Sequence, residues 1–330
     1  MYIKIFYNKF AMNNKYYQLL PKHTFDTGVN AIVTLCDLIC SDGTIKEVVV
    51  KKFHDKNNFI HEKRIVTKIS QTYETNNKTF YHEILYCDNL NNILIYDYFG
   101  ETLIDYDTKQ LSLVGKLKLF RDLIILTMEL ADLDIIHNDI KTCNIAIDKK
   151  SGKAVFIDYG ISQFIFDDFY SGIQFDTTLW SGSPEYFLVN KMLKSTGCML
   201  DDYIVEMYKK SQIFPLAGIL IGLIMNDINI YFKIIYEFIK FSGENDEEAF
   251  TRFKNFDYTS NDKLKMAVNC TLSYVERYIQ RHNIDNHVYE LIFDMLNLNY
   301  MERIDYDEIL KKIDDIIFKE KKILIINDLL

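Results

Sequence analysis

Two short apolar runs, IAI at 145–147 and AVFI at 154–157, flank the polar stretch DKKSGK with its single glycine. That pattern predicts a two-stranded hairpin, and a hairpin brings its outer ends together. Those ends carry chemistry. Asn144 immediately precedes the first run, and Asp158 follows the second. An amide oxygen and a carboxylate meeting there are hard ligands of the kind that suits Mg²⁺. Upstream, His137, Asp139, Lys141 and Asn144 form H-x-D-x-K-x-x-N, while Asp158, Tyr159 and Gly160 form D-Y-G. On this spacing Asp139 can orient an attacking hydroxyl, and Lys141 can screen charge on a transferred phosphoryl group. Phosphoryl transfer needs such positioning and electrostatics more than covalent chemistry.

The assembly resembles the catalytic core of eukaryotic protein kinases, in which an H-R-D loop is followed by D-F-G. The resemblance implies an α+β, bilobal protein-kinase-like fold. A small β-rich lobe with one helix would span 1–98, and a larger helical lobe with the catalytic loop and activation segment would span 99–330. It implies ATP and Mg²⁺ as cofactors and Ser or Thr of a protein as substrate, the lysine at 141 favouring Ser/Thr over Tyr. Asp139 would accept or orient the hydroxyl proton, Lys141 would stabilise the phosphoryl group, and Asn144 and Asp158 would hold metal.

The rest of the chain is ordered as such a fold requires. Before 98, the runs VVVKKF, TFYHEILY and NILIYDY are β-prone and separated by Asn, Asp and Lys clusters, with a helix near 57–69. After 98, Leu113, Leu117, Phe120, Ile124, Thr127 and Leu130 recur every three or four residues, the period of an amphipathic helix. Further helices are expected over about 213–241, 261–280, 286–297 and 306–319. The longest apolar stretch, 213–225, contains Pro215 and has thirteen residues. A membrane span needs roughly 20, so this stretch reads as a buried core helix.

Several distant motifs extend the resemblance. VVVK resembles the V-A-I-K strand of kinases and puts Lys51 at the phosphate-pairing position. Glu62, in FIHEKRIVTKI, is the candidate to fix it, with Glu74 as the alternative; the separation from Lys51 is eleven residues, shorter than the family usually shows. DTGVNAIV resembles a reduced glycine loop, with Gly28 at the middle glycine, Ala31 in place of another, and Val33 at the apolar position over adenine. ILIYDYFGETL resembles the hinge between kinase lobes. There Tyr96 would gate the pocket, Asp97 would contact adenine through its backbone, and Tyr98 and Phe99 would line it. Thr178 to Leu188, TLWSGSPEYFL, resembles the end of an activation segment, with Ser183, Pro184 and Glu185 for A-P-E. Arg303 in MLNLNYMERIDYDEIL is its implied ion-pair partner, 118 residues away.

Two departures stand out. Asn138 replaces the arginine of H-R-D, so activity is expected not to depend on a phosphorylated activation loop; 161–177 also lacks Lys and Arg and carries Asp167, Asp168 and Asp176. Gln212 stands where the family has an Asp that braces the catalytic loop, and its presence predicts a looser loop.

Composition narrows the alternatives. The 330 residues are 48% hydrophobic with a net charge of −9, which argues against nucleic acid as partner and against wholesale disorder. Six cysteines without a C-x-x-C pair, and a start without a secretory apolar core, suggest an intracellular, cytoplasmic protein with no membrane span. The sequence leaves oligomeric state open. Two other readings remain: a pseudokinase scaffold that binds nucleotide without turnover, and a small-molecule kinase of the choline or aminoglycoside type, which shares H-x-D-x-x-x-x-N.

Overall fold

A computed structural model describes residues 9–12, 15–27, 30–75, 83–165, 202–228, 230 and 261–329. The chain divides into two compact units, Met1–Gly100 with Ile157–Ser162, and Glu101–Phe156 with Gln163–Leu330. Together they are mixed α+β, with the sheet in the N-terminal part and helices later.

The first unit is built on a six-stranded antiparallel sheet. Its strands are β1 (Lys9–Met12), β2 (Lys15–Thr27), β3 (Ala31–Cys40), β4 (Ile45–Phe53), β5 (Ile84–Asp88) and β6 (Ile93–Asp97), in the order β1-β2-β3-β4-β6-β5. Pro21 has no N–H to give the ladder, and β2 shifts register between Pro21 and His23. The β3–β4 turn is closed by Asp42, whose carboxylate accepts from the Thr44 N–H, and by Gly43 at φ +84°, a conformation open to glycine without strain.

Side chains alternate across the sheet, and this alternation positions the candidate site. Leu19, Cys36, Leu38, Val48, Val50 and Ile95 form a core on one face. The intervening positions of β4, Val49, Lys51 and Phe53, point to the other face, where α1 (Lys56–Thr75) packs. Asp55 caps α1 by accepting from the Asn57 and Asn58 N–H groups, satisfying donors with no partner inside the helix. Phe59, Glu62, Val66 and Ile69 form the buried stripe of α1, at spacings of three and four. Phe59 meets Phe53 edge-on at 5.8 Å.

The second unit is mainly helical. Its helices are α2 (Leu113–Asp132), α3 (Asp202–Ser211), α4 (Ile213–Met225), α5 (Asn261–Arg281), α6 (Asn286–Met295) and α7 (Tyr306–Leu329). Two short strand pairs complete it: β7 (Ile135–Ile136) with β10 (Gln163–Phe164), and β8 (Ile145–Ile147) with β9 (Ala154–Phe156). The β8–β9 ladder is the expected hairpin, with Ile145 opposite Phe156.

Every residue of α4 is buried. Pro215 sits in its first turn, where a missing N–H breaks no intrahelical bond. At the other end, a Cβ on Gly222 would lie 2.9 Å from the Ile228 backbone, so only glycine lets the chain return so closely. Asn226 ends α4 at φ 55° and accepts from the buried Lys116 ammonium at 2.6 Å. Among the described residues no helix is long and apolar enough to cross a membrane. The helix expected over 213–241 instead ends at Met225, where the left-handed Asn226 stops it; residues 231–241 lie outside the described residues.

Candidate functional site

In the first unit, Lys51 binds two carboxylates. Its Nζ lies 2.6 Å from Glu62 Oε2 and 2.7 Å from Asp158 Oδ1. Lys51 reaches Glu62 because its position on β4 faces α1, and Glu62 sits on the buried stripe of that helix. The chain turns from strand to helix within two residues, so an eleven-residue separation suffices. Tyr96 on β6 lies on the same face and donates its hydroxyl to Glu62 Oε1 at 2.9 Å. Glu62 is thereby gripped at both oxygens, with no solvent exposure.

The electrostatics follow from that burial. Desolvation alone lowers the Lys51 ammonium, but Asp158 and Glu62 outweigh it and hold it above the usual lysine value. Desolvation raises the Glu62 carboxyl, and Lys51 pulls it back down. Burial, reinforced by Glu62, also raises the Tyr96 phenol, which therefore stays a donor.

Asp158 is at φ 64°, a left-handed conformation that Asp tolerates better than most residues. Its Oδ1 also accepts from the Gly160 N–H at 3.2 Å. A Cβ on Gly160 would sit 3.2 Å from Asp158 Oδ1 and 3.3 Å from Glu62 Oε2, which explains glycine as the third residue of D-Y-G. Tyr159 between them is buried. His61 on α1 bonds the Ser162 carbonyl at 2.6 Å, tying the 157–162 segment to the helix; toward a carbonyl its Nε2 must donate.

The candidate nucleotide-lining residues have mixed fates. Val33 is the cross-strand partner of Lys51, and Ala31 that of Phe53, so both lie on the Lys51 face. Tyr96 is 1% exposed and its hydroxyl is committed to Glu62. Asp97 forms an ion pair with Lys46 through its side chain. Tyr98 stacks on the exposed ring of Phe25 at 6.3 Å, and Phe99 is half-buried. Gly28 lies outside the described residues, as does the side chain of Glu74.

The second unit carries the other candidates. Asp139 Oδ2 lies 2.7 Å from Lys141 Nζ and accepts from Asn144 Nδ2, also at 2.7 Å. Asn144 Nδ2 reaches the Asp139 carbonyl as well, at 3.1 Å. With its nitrogen turned to Asp139, the Asn144 amide turns its oxygen away from that carboxylate, and the Cys143 thiol donates to this oxygen at 3.7 Å. The Asp139 N–H donates to His137 Nδ1 at 3.3 Å, which fixes that nitrogen as the unprotonated one. The His137 ring packs on Phe156 of the hairpin at 4.8 Å. Sequence spacing thus brings Asp139, Lys141 and Asn144 together through one tight loop, a 3₁₀ turn at Thr142–Asn144.

Gln212 corrects one expectation. Its side-chain oxygen accepts from the Asn138 N–H at 3.2 Å, so the loop is braced where a looser one was expected. A backbone N–H needs an acceptor, and an amide oxygen meets that need as a carboxylate does. Nothing in the sequence singles out Gln163, which accepts from Asn138 Nδ2 at 3.1 Å. Tyr96 as a donor to Glu62 was legible only through strand parity, which puts it on the Lys51 face.

Arg303 is 2% exposed. Its Nε donates to the Asn297 carbonyl at 2.8 Å, and its guanidinium lies 5.4 Å from the Phe214 ring centre. Thr178 to Leu188, with the expected partner Glu185, lies outside the described residues. Among the described residues no group of three or more His, Cys, Asp or Glu side chains is gathered for a metal ion. No protein-family model and no curated protein matches the chain.

Proposed function

We propose that the chain is an ATP- and Mg²⁺-dependent protein kinase of bilobal kinase-like fold that phosphorylates Ser or Thr of a protein substrate. The observation that carries this reading is the Asp139 carboxylate, held at 2.7 Å by both Lys141 and Asn144. A carboxylate so fixed is oriented to accept a hydroxyl proton, and the neighbouring ammonium is placed to offset charge on a phosphoryl group. The Lys51–Glu62 pair supports the same reading, since a buried glutamate aims the lysine as a phosphate ligand.

The donor set suits Mg²⁺ held together with nucleotide. Asp158 offers a carboxylate on a side chain 48% exposed, and Asn144 offers an amide oxygen. Mg²⁺ takes few protein ligands and completes its octahedron with phosphates and water. When bound it neutralises phosphate charge. The protein's own part is to orient the hydroxyl through Asp139, screen charge through Lys141, and anchor phosphate through Lys51.

Labelled ATP, Mg²⁺ and generic basic and acidic protein substrates test the proposal. Phosphate should appear on Ser or Thr. Asp139→Asn and Asp158→Asn should each lose on the order of 10²-fold or more in kcat with the fold intact by circular dichroism. Wild-type turnover in either variant would overturn the mechanism. Label on a small alcohol and not on protein would point to the small-molecule kinases.

A further inference from the structure

The outer side of α1 carries Lys56, Ile60, Arg64 and Lys68, spaced by four residues and all exposed. From Lys56 to Lys68 this row runs about 18 Å along the helix. Lys63 lies beside it, its Nζ 2.9 Å from Asn89 Oδ1. Between Lys56 and Gln71 the one acidic residue of α1 is Glu62, which is buried on the opposite face. The row does not serve the helix itself. Arg64 and Lys68 are like charges one turn apart, and Lys56 stands in the first turn, where the helix dipole disfavours a cation.

Asn89 belongs to the β5–β6 turn, which is fixed from several sides. Asp88 Oδ1 accepts from the Leu90 and Asn91 N–H groups at 3.0 and 3.1 Å, and Asp88 Oδ2 accepts from Asn91 Nδ2 at 2.7 Å. Asn92 is at φ 54°, and its carbonyl accepts from the Phe53 N–H at 2.9 Å. What this turn holds out is Leu90, 94% exposed; Ile60 in the row is 49% exposed. Through the Lys63–Asn89 bond the basic row and the apolar tip belong to one surface. The two acids at its border, Asp55 and Asp88, are committed to backbone N–H groups.

We propose that this surface docks an acidic amphipathic helix of a partner protein. Asp or Glu at every fourth position of that helix faces Lys56, Arg64 and Lys68, and its apolar stripe covers Ile60 and Leu90. The charge of the chain favours this occupant. At −9 overall the chain repels an acidic partner as a whole and attracts it at this row, which selects one orientation. Nucleic-acid phosphates would leave Ile60 and Leu90 uncovered, and two apolar side chains bury too little area to hold a bilayer. The row and Glu62 lie on opposite faces of α1, so the proposal stands independently of phosphoryl transfer.

Fluorescence anisotropy on the full chain tests it. The probe is a labelled helical peptide of about 18 residues, with Glu at every fourth position beside a stripe of Leu. The peptide should bind, and raising salt from about 50 to about 300 mM should weaken it several-fold by screening. The same peptide with Gln for Glu should bind at least about tenfold more weakly. Lys56→Glu combined with Lys68→Glu should cost at least about tenfold, and Leu90→Ser about fivefold or more. All three positions are exposed, so circular dichroism should show the fold unchanged. Equal affinity for the two peptides, wild-type affinity in the variants, or no binding at about 1 mM peptide overturns the proposal. Binding of phosphatidylserine vesicles or of RNA in place of the peptide also overturns it, in favour of a membrane or a nucleic acid.

Discussion

Around Lys51 the side chains that hold one another are charged, with Lys51 and Glu62 buried and Asp158 partly exposed; around Asn138 they are neutral and buried. Lys51, Glu62 and Asp158 form an ionic cluster in the first unit, with a tyrosine hydroxyl closing the last open oxygen of Glu62. Asn138, Gln163 and Gln212 form an amide cluster in the second, closed by Ser211. The two chemistries suit two tasks. On the phosphoryl-transfer proposal Lys51 meets phosphate, and a buried ammonium is held there only with carboxylates beside it, since a buried unpaired charge is costly. A group that only fixes a peptide plane needs directional bonds, and amides supply these without paired ions. The difference predicts unequal sensitivity to mutation, pH and phosphorylation.

Breaking the ionic cluster should have the largest effect. Lys51→Met leaves Glu62 buried without its cation, and removing one partner of a buried pair costs roughly 3–5 kcal/mol. Urea denaturation should show that loss, and phosphoryl transfer should fall below detection. A midpoint equal to wild type would mean that the Glu62 charge is relieved in some other way. Lys51→Met with Glu62→Gln should recover most of the stability but none of the activity, separating the structural from the chemical role of the pair.

Tyr96→Phe removes only the hydroxyl that faces Glu62 Oε1. A hydrogen bond to a charged acceptor is worth about 1.5–3 kcal/mol, and that range bounds the expected fall in stability. Activity should drop mainly through KM for ATP, because Glu62, which aims Lys51, loses the hydroxyl that holds its other oxygen. An unchanged KM would detach Tyr96 from the site.

The pH dependence follows from Lys51. Its folded-state value is raised above the ordinary 10.5, so its contribution to stability is fully present below that pH. Stability should fall as pH rises past about 10.5, where the unfolded chain loses its proton first. Glu62, raised by burial, acts in the same sense in its own range: its share is present at low pH and lost as pH rises through its folded value. Urea midpoints of wild type and Lys51→Met from neutral to alkaline pH should converge above 10.5. The amide cluster has no group that titrates there, so protection of the Asn138 amide, compared after correction for intrinsic exchange, should not track the change.

The smallest effect expected is none. Phosphatase treatment of the purified protein should leave turnover within about tenfold of untreated enzyme. Asn138 offers no cation to an added phosphate of about −2 charge. The described part of the segment after D-Y-G, 161–165, offers none either. A larger loss would show a phosphate-ordered loop and would demote the amide brace to a secondary role.

Much of the local structure was readable from residues alone, since it depends on short-range periodicity. Leu113, Leu117, Phe120 and Ile124 gave α2; the IAI and AVFI runs around DKKSGK gave β8 and β9; the run 213–225 gave a wholly buried α4. Asp139, Lys141 and Asn144 meet within one loop, so their spacing carried their geometry. Helix ends were less legible: α1 runs to Thr75 and α7 to Leu329, beyond the apolar repeats that marked them. The glycine loop at Gly28 and the Glu185–Arg303 pair fall outside the described residues in whole or in part.

What the sequence determined by itself were the elements and the local constellations, because hydrophobic period, capping and turn chemistry act over a few residues. Tertiary structure alone decided that Asp158 meets Lys51 across 107 residues, that Tyr96 closes Glu62, and that Gln212 braces a loop 74 residues away. Those contacts depend on which face of a strand or helix a side chain occupies once the elements within each unit have packed. They also depend on what each atom donates or accepts. A glutamine read against an expected aspartate looked like a loss of charge; in the folded chain its oxygen supplies the acceptor that the Asn138 N–H requires.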